Sequence, residues 1–428
     1  MWEDNRRKKI IMNIVLALLI LALIAGLGFA MLSVRRQTQA HDEQLSEIYV
    51  QQQQEQSAAR QESVDAIQTE YDKDMQTVAD YLPGIVCWGD SITQGSAGNI
   101  SYPAVLKTYL DTYFCDIYDF RSSIENAEDF SRLKWDDYRV NVPVVNMGGG
   151  PEDSYTVLGR CGAIPYVLGQ DLAVPADTEP VEIKLLSESG KAVSPLTGGN
   201  VGVNGVRIGD VEGTLSIDSS AYAYAGYRYY FTRSTPGEEM LIPSGTVVET
   251  AATDQFKDYI HIVCIGTYGN YTGADDLVQQ TKALLARQTL NSDRFLVIGL
   301  CSANGYTSST YALDAIDTAM LQAFGNRYVN VRKYLCEDGM ADAGLTPTNI
   351  DKICIAANRV PVSFTTSTNS VELNGKAYQL IGKLVYDRME SLGYFDEVFE
   401  ELGIKDTTRQ ILKDDPDYFT RILSNTLK

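Results

Sequence analysis

The chemistry of this chain starts at one serine. The apolar run Gly84–Trp88 ends abruptly in Gly89-Asp90-Ser91-Ile92-Thr93. A serine placed just after a strand and at the opening of a helix is positioned as a nucleophile. The free N–H groups of a helix N-terminus favour the oxyanion that forms when an acyl carbon is attacked. Gly-Asp-Ser alone is common by chance; the preceding apolar strand and the continuation Ile-Thr-Gln-Gly make it specific. A serine nucleophile needs a base, and the chain has only two histidines, His41 and His261. His41 stands close to the N-terminal apolar segment. His261 opens a later strand, at the end opposite the serine. Both read as surface or structural residues. No metal-ligand cluster, phosphate-cradling loop or dinucleotide fingerprint supplies another chemistry, so neither metal nor cofactor is expected.

The elements around Ser91 alternate. Strands are expected at Gly84–Trp88, Val140–Asn146, Tyr259–Gly266, Arg294–Cys301 and Tyr328–Val331. Helices are expected at Pro103–Phe114, through Leu277, Thr281 and Leu284, at Tyr311–Phe324 and at Gly375–Met389. Such alternation predicts a parallel sheet with helices on both faces. Between 166 and 252 the pattern changes to strand alternation (Val181, Ile183, Leu185) and Gly-rich turns at Ser187–Gly190 and Thr197–Asn200. An aromatic run follows: Tyr222, Tyr224, Tyr227, Tyr229 and Phe231. This reads as a small all-β insertion whose aromatics fill its own core, the other reading being a sugar-binding platform.

Four segments, in order, carry a family resemblance: Trp88-Gly89-Asp90-Ser91-Ile92-Thr93, Val145-Asn146-Met147-Gly148-Gly149-Gly150-Pro151-Glu152, Ile265-Gly266-Thr267-Tyr268-Gly269-Asn270, and Asn369-Ser370-Val371-Glu372-Leu373-Asn374-Gly375. With them the chain resembles the SGNH/GDSL hydrolases, esterases and lipases on a flavodoxin-like three-layer α/β/α fold. The resemblance covers most of residues 83–395 apart from the insertion. It implies a serine nucleophile, a histidine base oriented by an aspartate three residues earlier, and an oxyanion held by the serine N–H, a glycine N–H and an asparagine side chain.

Carried over position by position, the roles are mostly replaced. Ser91 matches the nucleophile. The glycine donor falls on Pro151, which has no N–H, with Gly150 beside it as a substitute. The asparagine donor falls on Tyr268, with Asn270 two residues later. The aspartate falls on Asn369 and the histidine on Glu372. A buried carboxylate can act as a base, so Glu372, held by Asn369, is the candidate general base. Loss of a triad base costs on the order of 10⁴–10⁶ in turnover, and each oxyanion donor about 10²–10³, not simply additively.

Arg6, Arg7, Lys8 and Lys9 precede a run, Ile10 to Val34, whose only polar side chains are Asn13 and Ser33. It is long enough to cross a bilayer and longer than the apolar core of a cleaved signal peptide. The four cations before it, against Arg35 and Arg36 after it, put the N-terminus in the cytoplasm and the rest outside. Residues 1–35 thus read as cytoplasmic tip and anchor in the cell membrane, and 36–82, rich in Gln, Glu, Ser and Ala, as a helical stalk. Val64, Ile67, Tyr71, Met75 and Val78 have the spacing of a coiled-coil seam for self-association or of a solvated helix. The hydrolase-like domain takes 83–165 and 253–395, the insertion 166–252, and a helical tail 396–428, where Leu402, Ile404, Ile411 and Leu412 suggest packing.

A net charge of −20 argues against a nucleic-acid partner. Seven cysteines fit neither a zinc site nor a disulfide framework, and Cys87, Cys264 and Cys301 read as small buried hydrophobes. Three functions stay open. One is an extracytoplasmic protein with a degraded esterase site that binds a glycan, a wall polymer or a protein. Another is a working esterase, for example a carbohydrate or peptidoglycan O-acetylesterase, using Ser91 with a non-standard base. The third is a scaffold assembled through its stalk.

Overall fold

The computed structural model describes residues 2–95, 100–113, 141–198, 201–218, 227–289, 293–302, 310–367, 370, 372–404, 410 and 414. Two compact units are distinguished, one formed by residues up to Glu70 and one beginning at Tyr71. A single helix, Trp2–Tyr81, runs through both. Its segment in the first unit contains a stretch long and apolar enough to cross a membrane, none of it buried in protein. Exposed Ile10, Leu16, Leu23, Phe29 and Leu32 mark that stretch.

The last turns of this helix correct the expected boundary. Val78 and Leu82 are fully buried and Met75 and Tyr81 pack beside them, all against the α/β core. These apolar positions therefore serve the second unit, which starts at 71 rather than 83. They are not free to form a coiled-coil seam.

The second unit is mixed α/β, built on five parallel strands: β1 (Ile85–Gly89), β2 (Val144–Gly148), β3 (Ile260–Cys264), β4 (Phe295–Ile298) and β5 (Tyr328–Val329). Their order across the sheet is β5-β4-β3-β1-β2. Register pairs Gly89 with Gly148 on one side and with Cys264 on the other. Strands covered on both faces read as near-continuous apolar runs, and β1 and β3 are buried throughout, His261 of β3 included. Alternate side chains go to opposite cores. Ile85, Cys87, Ile262 and Leu296 face the helices Tyr102–Tyr113 and Gly375–Ser391. Val86, Trp88, Val263 and Val297 face the helices Ser154–Arg160, Ala274–Leu285 and Thr310–Phe324. Full burial of each large apolar side chain contributes about 1.5–3 kcal/mol, so a one-residue slip of β1 would exchange the two sets at heavy cost.

The insertion is β-rich. Seven antiparallel strands form one sheet, running from Val181–Ile183 at one edge to Leu185–Ser187 at the other, and Leu172–Val174 pairs with Met240–Ile242. It is not an independent module: Tyr166, Ile208, Phe231 and Val248 belong to the same hydrophobic core as Trp88 and Val263. Tyr229 and Phe231 are buried there, so this part of the aromatic run is core; Tyr222 and Tyr224 lie outside the described residues. At the C-terminus, Val398 and Phe399 on the helix Asp396–Glu401 are buried, with Leu402 and Ile404 packed beside them. Ile411 and Leu412 lie outside the described residues.

The six described cysteines are unpaired and buried. Burial pushes the Cys87 and Cys264 thiols up, as expected of small core hydrophobes.

Candidate functional site

In a sheet of this order the chain reverses direction between β1 and β3, and ligands bind beyond the strand ends at such a reversal. Ser91 stands there, directly after β1, and Thr267–Tyr268 follow β3. The helix that Ser91 opens is one turn long, Ser91–Gln94. Asp90 caps it, taking the Ile92 N–H on Oδ1 at 3.0 Å and the Thr267 N–H on Oδ2 at 3.2 Å. One carboxylate thus ties the two loops together. Burial, outweighing these bonds, raises Asp90 to about 6.

Tyr268 is the centre of the site. Its hydroxyl donates to Glu372 Oε1 at 2.9 Å and lies 2.9 Å from Ser91 Oγ. Because the phenol proton goes to the carboxylate, Ser91 is the donor in the second bond. The sequence makes Tyr268 an oxyanion donor and Glu372 the direct base of Ser91. In the structure Tyr268 stands between them, and the carboxylate is linked to the serine through the phenol. Burial raises Tyr268 to about 12, so it keeps its proton at neutral pH. Asn369, expected to hold the carboxylate, lies outside the described residues. Instead, Ser370 Oγ accepts the Glu372 backbone N–H at 2.9 Å, and Asn374 caps the helix that follows.

The other expected donors are engaged elsewhere. Gly150 does approach the serine, so closely that a Cβ at position 150 would collide with the Ser91 Cβ. Its N–H, however, donates to Gln94 Oε1 at 3.1 Å. Pro151 follows through a cis peptide bond and has no N–H to offer. Asn270 is turned away: its Nδ2 donates to Asp153 Oδ2 at 3.0 Å and to the Ala192 carbonyl at 3.2 Å. It binds the insertion to the site loop and does not replace Tyr268 as donor. The Ser91 amide is what remains of the expected oxyanion set.

Two residues without an assigned role in the sequence hold the loops. Arg160 and Glu152 are fully buried and paired at 2.6 Å. Arg160 also donates to the carbonyls of Gly89, Met147 and Val201, while Glu152 accepts the Leu196 N–H at 2.9 Å. β1, β2 and the insertion therefore meet on one ion pair just below Ser91. Burial raises Glu152 despite its partner. A Glu and an Arg eight residues apart on either side of a capping Asp153 give no sign of this in sequence, since the atoms they join are backbone carbonyls of distant segments.

His261 is buried on β3, its Nε2 donating to the Phe256 carbonyl at 2.9 Å, and burial lowers it to about 4. His41 is an exposed position of the long helix. Neither serves Ser91. Among the described residues no cluster of metal-ligating side chains occurs. Comparison with protein families, curated proteins and solved structures finds no match to this chain.

Proposed function

We propose that this is a membrane-tethered, SGNH/GDSL-hydrolase-like protein whose esterase site has been refitted for binding. The β5-β4-β3-β1-β2 order, which is that of flavodoxin-like sheets, and the position of Ser91 after the first strand support the lineage. The long apolar helix supports attachment to a membrane, and the flanking cations support a cytoplasmic N-terminus with the α/β unit outside. A glycan or wall polymer is the ligand class that this location and lineage suggest.

One observation carries the reading. The replaced positions answer one another: Tyr268 fills the donor position and bonds Glu372 at the base position, and Gln94 closes the Gly150 amide. A site decaying at random would leave these groups unmatched. Without the glycine and side-chain donors, each worth about 10²–10³ in rate, attack on an ester has little to stabilise its oxyanion. The measurement is hydrolysis of a short-chain aryl ester by the full chain in detergent, beside Ser91→Ala. Equal, background rates are expected. Turnover that vanishes in Ser91→Ala would overturn the proposal.

A second reading has its own observation. The Ser91–Tyr268–Glu372 chain is a continuous proton path: Ser91 gives its proton to the phenol oxygen as the phenol proton passes to the carboxylate. An esterase using it would lose activity in Tyr268→Phe. A phenol whose proton is held to about 12 and an emptied oxyanion set weigh against that reading.

A further inference from the structure

The refitted site has reversed its hydrogen-bonding sense. An ester-cleaving site presents donors to a carbonyl oxygen that becomes negative. Here the glycine and side-chain donors are withdrawn, leaving only the Ser91 amide of the expected set: Gly150 N–H goes to Gln94, Asn270 Nδ2 to Asp153 and Ala192, and Pro151 has none. The hydroxyls are ordered in one direction, Ser91 to Tyr268 to Glu372. That order spends both protons inside the chain. With its proton given to Tyr268, Ser91 Oγ can only accept, and the Glu372 carboxylate keeps the oxygen that Tyr268 does not take. Among these side chains only Gln94, at the exposed rim, has N–H groups to offer.

The charge agrees with the polarity. The nearby cation, Arg160, is neutralised by Glu152 and faces backbone carbonyls. Among the described residues no Lys, Arg or His pairs with Glu372. The charge in the hydrogen-bonded chain from Ser91 is therefore the Glu372 carboxylate, with no cation against it among the described residues.

Resting on the reading of this site as a binding site, we propose that it takes a primary ammonium group, seated beside the Tyr268 hydroxyl against Ser91 Oγ and the Glu372 oxygen that Tyr268 leaves free. An ammonium has three donors and no acceptor, which complements two acceptor groups as an ester carbonyl does not. The ammonium comes from a de-N-acetylated amino sugar or from a peptide amine. These share the recognised chemistry and differ in what lies behind it.

The test is calorimetric titration of the full chain in detergent, at 0.15 M salt, with glucosamine, N-acetylglucosamine and glycinamide. Glucosamine is expected to bind and N-acetylglucosamine, its ammonium removed, is not. Binding of glycinamide as well assigns the ammonium alone as the determinant; its failure beside glucosamine assigns the sugar. Glu372→Gln, nearly isosteric, should weaken binding by at least about tenfold, the worth of one charge-assisted hydrogen bond. Non-specific attraction to a −20 chain would survive that change. Equal binding of the acetylated sugar, no effect of Glu372→Gln, or no binding of either amine overturns the proposal. Ester hydrolysis through Ser91 would instead overturn the parent reading, and is scored separately on the same preparation.

Discussion

Asp90 makes the sharpest residue-scale prediction. Its carboxyl is fully buried and raised to about 6, above the roughly 3.9 of an unfolded aspartate. Between those values the folded state holds a proton that the unfolded state has released, so stability falls as pH rises through that window. The full effect is at most ~3 kcal/mol. Asp90→Asn should flatten the decline between pH 4 and 6, measured by denaturant unfolding of the variant beside the parent. Equal slopes would mean that Asp90 is not the group responsible. The Gly-Asp-Ser run is legible in sequence as a nucleophile position. The work of its aspartate is not, because the Thr267 N–H it binds comes from a loop 177 positions away. The same is true of Tyr268. Its position can be read as a lost donor, but the link it forms between Ser91 and Glu372 exists only once the ends of β1 and β3 and the loop before the helix Gly375–Ser391 have been brought together.

At the scale of elements, the alternating strands and helices are readable because burial on both faces demands continuous apolar runs. The five parallel strands fall within a few residues of their expected places. The start of β2 shifts from Val140 to Val144, where pairing with Ile85 begins. The insertion is readable as β-rich from its alternation, but not as part of the main core, since Phe231 and Trp88 meet only in three dimensions. Besides Asn270, the Glu152–Arg160 pair joins the insertion to the site. Arg160→Met would leave the buried Glu152 carboxylate without its cation and remove the guanidinium bonds to the carbonyls of Gly89, Met147 and Val201. Removing one partner of a buried pair costs about 3–5 kcal/mol, and a loss of that size is expected in denaturant unfolding. A change under about 1 kcal/mol would show that β1 and the insertion are held by other contacts.

For the whole molecule, the apolar span between cations makes the N-terminal anchor legible, and the alternation of strands and helices makes the α/β unit legible. The boundary between them is not. Helical periodicity continues from the polar stretch into the buried turns at Val78, and only the packing of the domain shows where one purpose ends. The central claim concerns Ser91, and reaction of the full chain with a fluorophosphonate probe tests it most directly. The comparison is with Ser91→Ala and with a chain returned to the expected set by Pro151→Gly, Tyr268→Asn, Asn369→Asp and Glu372→His. The account predicts no labelling of the natural chain and labelling at Ser91 in the restored one. Labelling of the natural chain that disappears in Ser91→Ala would contradict it, and would make the Ser91–Tyr268–Glu372 chain a working catalytic relay.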